Sequence, residues 1–391
     1  MNVKWEQRKL GEISTSFSGG TPSVKNKSYY GGKIPFIRSA EIHKDKTELF
    51  ITENGLKNSS AKLIKKGTLL YALYGATSGE VDVSNIDGAI NQAIMAIFLQ
   101  KDNVSFIKYY LEKNKYKIIA KYLQGGQGNL SASIIKSVHI NLPFTEEQLK
   151  ISNLIKKVES LISLQQRKLD LLKQFKKGLL QKMFADKSKF PILRFEGFHN
   201  EWEQRKLKNV YQKIGNAFVG TASPYYVDAG HFYLESNNIK NGQINRNHEV
   251  FINNSFYQKQ SNKLLHTGDL VMVQSGHVGD TAVITQEYNN SAAHALIVFR
   301  NPKDKFLSDY LNFYFQNTSA KNKINILAIG NTIRHVLASD MSRFSVYFPN
   351  KDERKYISNL LLKLQYTITL QQSKISQLTI LKKYLLQKLF I

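Results

Sequence analysis

Two short loops carry residues suited to holding a phosphate. Ser18-Gly19-Gly20-Thr21-Pro22-Ser23 is followed by Tyr29-Tyr30, and Val219-Gly220-Thr221-Ala222-Ser223-Pro224 runs directly into Tyr225-Tyr226. Glycine lets backbone N–H groups approach a phosphate closely, and the hydroxyls of Ser18, Thr21, Ser23, Thr221 and Ser223 add donors. The paired tyrosines can stack or touch sugar and phosphate. The alternative is a pair of ordinary turns with aromatics packed beneath them. A second pair of segments suits base reading. Arg38 and Ser39 follow the apolar run Pro35-Phe36-Ile37, where a strand would aim them rigidly. Arginine is the usual bidentate reader of guanine, although Arg38 could instead pair with Glu41. The matching segment of the second half, Phe232 to Ile239, carries Glu235, Ser236 and Asn238, types suited to cytosine and adenine.

Two further loop pairs match. Tyr74-Gly75-Ala76-Thr77-Ser78-Gly79 stands against Gln274-Ser275-Gly276-His277-Val278-Gly279, each after a Gly-x-Leu strand pattern. Gln124 to Leu130, with Gln127 and Asn129, stands against Ala328 to His335, with Asn331, Arg334 and His335. Each signal is weak alone. Four matched loops in two halves point to two related surfaces with different side chains.

No catalytic constellation emerges. The sequence has no Gly-x4-Gly-Lys-Ser/Thr loop for nucleotide hydrolysis, and Gly126-Gln127-Gly128 lacks the third glycine of a dinucleotide fingerprint. There is no Asn/Asp-Pro-Pro-aromatic tetrad of an amino-methyltransferase. The nine histidines show no metal-ligand spacing, so no metal site and no catalytic residue are assigned. Cysteine is absent, which removes disulfides, thiolate zinc sites and cysteine nucleophiles. The net charge of +25 implies a polyanionic partner, nucleic acid or an anionic surface, and nucleic acid is preferred over a merely basic protein of Lys- and Asn-rich composition. No secretory leader and no run of about 18 apolar residues is present, so a soluble, cytoplasmic protein is expected.

The elements that position these loops are duplicated. Residues 5–10 read Trp-Glu-Gln-Arg-Lys-Leu, and residues 202–207 read the same. Ile151 to Phe184 aligns without a gap on Ile357 to Phe390, with about half of the positions identical. Ile151, Val158, Leu172 and Leu179 fall on a seven-residue stripe, as do Ile357, Leu364, Leu378 and Leu385. Gln165 and Gln371 fill the same gap in the two stripes. A heptad stripe on two helices implies that they pack along each other, and a polar residue at a seam position can fix register. Each helix of about 40 residues would be on the order of 60 Å long. Thr145, with Gln148 three residues later, reads as a capping box at the first helix start. Ala89 to Leu99 reads as one buried strand, and Phe106 to Tyr122 as a helix with lysines outward. The expected plan is a mixed α+β chain: an α/β domain at 1–143, a long helix at 144–185, a linker at 186–196, a second α/β domain at 197–348 and a long helix at 349–391.

The Trp-x4-Leu openings (Trp5/Leu10, Trp202/Leu207), the Gly-Gly-Thr-Pro-Ser loop, Ile34-Pro-Phe-Ile-Arg-Ser-Ala-Glu-Ile42, the Gly-Asn elements and the Leu-Leu-Gln-Lys-Met/Leu-Phe helix ends resemble the specificity (S) subunits of type I restriction–modification systems. The resemblance covers essentially the whole chain. It implies two target-recognition domains in pseudo-two-fold tandem, separated by two long antiparallel coiled-coil helices that set the spacing of a bipartite double-stranded DNA site. It implies a chain that is non-catalytic alone and binds no cofactor directly. Two methyltransferase (M) subunits would modify adenine with S-adenosylmethionine, and restriction (R) subunits would use ATP and Mg. The second domain departs from the first-loop pattern, with Gly-Thr-Ala-Ser-Pro. Competing readings are a standalone repressor-like or architectural DNA-binding protein and a nuclease with an unrecognised site.

Overall fold

The computed structural model describes residues 5–123, 129–186, 188–330 and 334–390. The chain divides into two compact units, Met1–Gln166 with Lys374–Ile391, and Arg167–Ser373.

The first unit is built on two small sheets. One is antiparallel, with strands Ser14–Ser18, Ile94–Leu99, Leu69–Ala72 and Val81–Val83 in that spatial order. The other runs Phe50–Ile51, Tyr30–Ile37, Gly88–Ile90 and Lys62–Ile64, with the middle pair parallel. The apolar run 89–99 is therefore two strands rather than one. Gly88–Ile90 pairs in the second sheet, the chain turns at 91–93, and Ile94–Leu99 pairs in the first. The polar pair Asn91-Gln92 stands at the break, between strands whose facing residues are buried. The helix Val104–Leu123 covers one side, and its Phe106, Ile107 and Leu111 join Leu69, Tyr71 and Met95 in the main core.

The repeated hexapeptide closes each unit. In the first, Glu6–Lys9 pairs antiparallel with His139–Leu142; in the second, Glu203–Lys206 pairs with Ser345–Phe348. The tryptophan ahead of each strand packs edge-on against a domain-helix aromatic, Trp5 on Phe106 and Trp202 on Tyr310. The second unit repeats the two-sheet plan. Strands Tyr211–Asn216, Leu296–Pro302, Leu270–Val273 and Thr281–Val283 form one sheet, and Tyr226–Val227, Phe251–Ile252, His231–Leu234 and Ala292–Ala293 the other. His231–Leu234 and Ala292–Ala293 are again the parallel pair.

The two long helices span Thr145–Lys182 and Lys351–Leu389. Along the first, Ile151, Ile155, Val158 and Leu169 are buried; along the second, Ile357, Leu361, Leu364 and Ile368. The steps of four, three and four from Ile357 to Ile368, and of four, three and then eleven from Ile151 to Leu169, keep the phase of a coiled-coil seam. In the first unit Glu159 of the first helix meets Lys382 of the second at 2.8 Å. In the second unit Lys176 meets Gln365 at 2.5 Å. An early residue of one helix thus meets a late residue of the other in both places, so the pairing is antiparallel.

The start of the first helix differs from the expected capping box. Thr145 is already helical, and the Gln148 side chain is buried. Its Nε2 donates to Asp102 Oδ1 and Pro143 O, at 2.8 and 3.0 Å, and its Oε1 accepts from Asn103 N. Gln148 thus anchors the helix to its domain. Arg354 does the same at the matching position of the second helix, through an ion pair with Asp304. Residues 186–196 include Arg194, which pairs with the fully buried Glu353 at 2.7 Å, while Trp202 Nε1 donates to the same carboxylate at 3.1 Å.

Candidate nucleic-acid interface

In each unit the first three matched loops follow strands of the two sheets, so sheet pairing fixes where they emerge, and the fourth follows a helix, Val104–Leu123 or Thr318–Leu327. In the second unit, side-chain hydrogen bonds join all four. His294 sits just after Ala292–Ala293, beside the end of the parallel strand His231–Leu234. Its Nε2 lies 2.9 Å from Gly220 O of the first loop, and its Nδ1 lies 3.7 Å from Glu235 of the second. Tyr226 donates its hydroxyl to Glu235 at 2.5 Å. His277 of the third loop contacts Ser236 O at 3.0 Å, and Ser275 bonds His335 of the fourth at 2.6 Å. The neighbouring Glu235 carboxylate raises the His294 pKa above its ordinary value against the opposing effect of burial, and His294 in turn lowers that of Glu235.

The first unit uses different side chains for the same task. Arg38 donates from Nε and Nη2 to Glu41 at 3.0 and 3.1 Å. Glu41 is only 3% exposed and also accepts from Thr47 Oγ1 and Glu48 N. Burial would raise its pKa, but the Arg38 guanidinium and these N–H and O–H donors hold it at about 2. His43, just beyond, bonds Asp82 at 2.7 Å and Glu80 at 3.0 Å, which ties the second segment to the strand after the third loop. The bond to Asp82 is the main reason the His43 pKa is raised. Leu130 N donates to Leu73 O, so the fourth loop meets the third here too.

Several expected contact residues have structural work to do. Gly19 and Gly20 donate their N–H groups to Ile94 O and Ile90 O, which takes those donors away from a phosphate. A Cβ on Gly19 would stand 1.9 Å from Ile90 O, and one on Gly20 2.5 Å from Ser60, so the glycines permit strand approach rather than ligand approach. Asn238 is 1% exposed, with its amide bonded to Glu235 N, Asn245 O and His248 O. It shapes the turn that presents Glu235 and Ser236, and it has no free edge to offer a base. Tyr225 stacks on Phe256 at 4.1 Å, and Tyr30 donates to Pro22 O at 2.6 Å. Tyr74 packs on the core, and Ser78 donates to Leu73 O.

The exposed candidates are Thr21, Ser23, Arg38, Asn129, Thr221, Ser223, Tyr226, His277, Arg334 and His335. Thr21 bonds Gln92, another exposed polar residue of this surface. Ser18, Tyr29, Ser39, Thr77, Glu235, Ser236, Gln274 and Ser275 are half-buried. Gln127 and Asn331 lie outside the described residues. Of the seam glutamines, Gln371 is buried and Gln165 half-buried. Sequence reading missed His294, the hub of the second unit, and its counterpart Asn91. Both donate N–H to the end of the neighbouring parallel strand, Leu234 O and Ile37 O. The available signal was a short apolar pair, Ala89-Ile90 or Ala292-Ala293, followed by a polar residue and then a buried strand. Among the described residues no cluster of His, Asp and Glu could hold a metal ion, and no helix is long and apolar enough to cross a membrane.

Comparison with known proteins gives a consistent picture. The family model for the type I restriction modification DNA specificity domain matches twice, at residues 2–174 and 199–379. The chain is 24% identical to the type I restriction enzyme MjaIX specificity subunit of Methanocaldococcus jannaschii, over 98% of this chain and 92% of that protein. It is 30% identical to the HindI specificity subunit of Haemophilus influenzae over 36% of this chain and 32% of that protein. The crystal structure of the S subunit of the type I restriction–modification system from M. genitalium covers all of this chain and 97% of its own, with a TM-score of 0.63 at 14% identity. A chain from a structural study of type I R-M complex assembly and conformational transition covers 99% of this chain and 97% of its own, with a TM-score of 0.60 at 16% identity. Two matches of the family model, two sheet-based units with matched loops and two paired long helices lead to one conclusion: the chain belongs to the type I restriction–modification DNA-specificity family, as a non-catalytic specificity subunit.

Proposed function

We propose that this chain reads a bipartite, asymmetric site on double-stranded DNA, one half with each unit, and carries methyltransferase and restriction subunits to it. The observation that carries this reading is the substitution of side chains at matched positions of one scaffold. Arg38 and Glu41 in the first unit stand where Glu235 and Asn238 stand in the second, each pair bracketing a one-turn 3-10 helix. A constant frame with changed polar groups at its loop tips is what two readers of different sequences require. The chain's net charge of +25 supplies the sequence-independent attraction to phosphates. The long helices act as the spacer, and Gln165 and Gln371 set their register.

Two M subunits would dock on the long helices. Leu154, Leu161 and Leu164 of the first and Tyr366, Leu370 and Leu381 of the second are exposed apolar side chains on helices whose other face is already packed. S-adenosylmethionine, ATP and Mg would be bound by the M and R partners in the cytoplasm. Footprinting of the chain with its M subunit on a methylated target tests the reading. Two protected segments separated by a less protected spacer are expected; one continuous segment, unchanged when 197–348 is exchanged for another recognition domain, would overturn it.

A further inference from the structure

Lys176 and Lys382 occupy the same position of the two repeated helices, 25 residues after Ile151 and Ile357. Their surroundings differ in charge. Lys382 bonds Glu112 at 2.7 Å and Glu159 at 2.8 Å. Lys176 bonds Gln316 at 2.7 Å and Gln365 at 2.5 Å. Gln365 matches Glu159 in the repeat, and Gln316 stands on the domain helix as Glu112 does. Both carboxylates of the first unit are thus amides in the second.

The result is a cation, 9% exposed, without an anionic partner among the described residues. The ring of Phe313, 5.5 Å away, offers some compensation. Burial lowers the Lys176 pKa to about 8. Burial acts on Lys382 too, but its two carboxylates outweigh it and raise the pKa. Lys176 lines a cleft of about 400 Å³ in the second unit, together with Lys173, Lys177, Lys321, Gln316 and Gln365. Lys321 is paired with Asp280 at 3.0 Å, and no carboxylate is among the described residues lining the cleft. A buried cation ordinarily has a counter-ion, and here two neutral amides stand in its place on a lysine that lines a concave, lysine-rich space.

We propose that this cleft binds a phosphate group, free or carried by a small metabolite, with Lys176 as its buried anchor. The phosphate supplies the negative charge that Glu112 and Glu159 supply in the first unit. Lys173 and Lys177, both exposed, neutralise its outer oxygens. The amide side chains hold the lysine in place without competing for its charge. The cleft is larger than one phosphate needs, which leaves room for an attached group. This inference is independent of which bases the loops read.

The test is calorimetric titration of the full chain with pyrophosphate at constant ionic strength, repeated with inorganic phosphate. One saturable site per chain is expected. Lys176→Met should weaken it at least tenfold, and so should Gln365→Glu, which restores the internal counter-charge and should raise the melting temperature. Lys383→Met removes an exposed lysine at the position matching Lys177 and should leave the affinity unchanged. If Lys176→Met does not fold, Gln365→Glu decides. Tighter binding of pyrophosphate than of phosphate assigns the site to a phosphorylated metabolite, and equal binding to the free ion. No saturable binding, or unchanged binding in folded Gln365→Glu, overturns the proposal.

Discussion

The carboxylate of Glu41 receives both Nε and Nη2 of Arg38, at 3.0 and 3.1 Å, and the pair replaces the Glu235–Asn238 turn of the other unit. Arg38, which in sequence could be a base reader or a partner of Glu41, is held by that buried acid, which leaves only part of its donor fork for DNA. Arg38→Met should destabilise the first unit by about 2 kcal/mol, because it leaves a buried carboxylate without its main partner. Adding Glu41→Met should recover most of that loss. Denaturant unfolding of the wild type, both single variants and the double variant measures the coupling; additive losses would show that the pair holds nothing together.

Acid should weaken the same turn. The Glu41 pKa is about 2 in the fold and 4.5 as an ordinary carboxyl. A lowered carboxyl pKa contributes stability that is present above 4.5 and is lost as pH falls from there toward 2. Glu41→Gln should therefore flatten the pH dependence of unfolding in that window. An equally steep dependence in the variant would place the acid sensitivity elsewhere.

His294 couples the first and second loops of the second unit through Gly220 O and Glu235. His294→Ala should reduce discrimination at one half-site roughly tenfold, in the range of one lost base contact, with little change in non-specific binding. The raised His294 pKa works in one direction: the contribution of its charged form is complete below pH 6.5 and fades as pH rises through the higher folded value. Competition binding with substituted half-sites at pH 6 and 9 checks both points. Loss of discrimination at the other half-site would contradict the assignment.

The long helices were the most legible part of the sequence, because a heptad pattern repeated at Ile151–Leu179 and Ile357–Leu385 survives any local ambiguity. The duplicated hexapeptide was visible as a repeat, although its role as the strand that closes each unit was not. At 89–99 the change of sheet is marked only by the short polar pair Asn91-Gln92, which is easily read as part of one strand. Residue roles in the loops were the least legible. Gly19, Gly20 and Asn238 have the types of contact residues, yet their polar groups are taken up by backbone neighbours distant in sequence. Lys176 is not legible in the sequence, because what sets it apart is the lack of charge on neighbours that come from other elements.

The spacer role of the helices gives a geometric prediction. Inserting four residues after Gln165 adds about 6 Å of helix and rotates the C-terminal remainder of that helix by just over one helical turn. The half-sites should then be read at a longer separation, with their base content unchanged. Selection of bound sequences from a random-spacer library measures it; the original spacing in a folded variant would refute the spacer role.

The most direct test of the central claim is adenine-methylation mapping of a genome in cells that co-express this chain with its methyltransferase subunit. Two short specific segments separated by a fixed unspecified gap are predicted, absent without this chain. Exchanging 197–348 for another recognition domain should change one segment and leave the other intact. A single continuous motif, or a motif that persists when the chain is removed, would contradict the account.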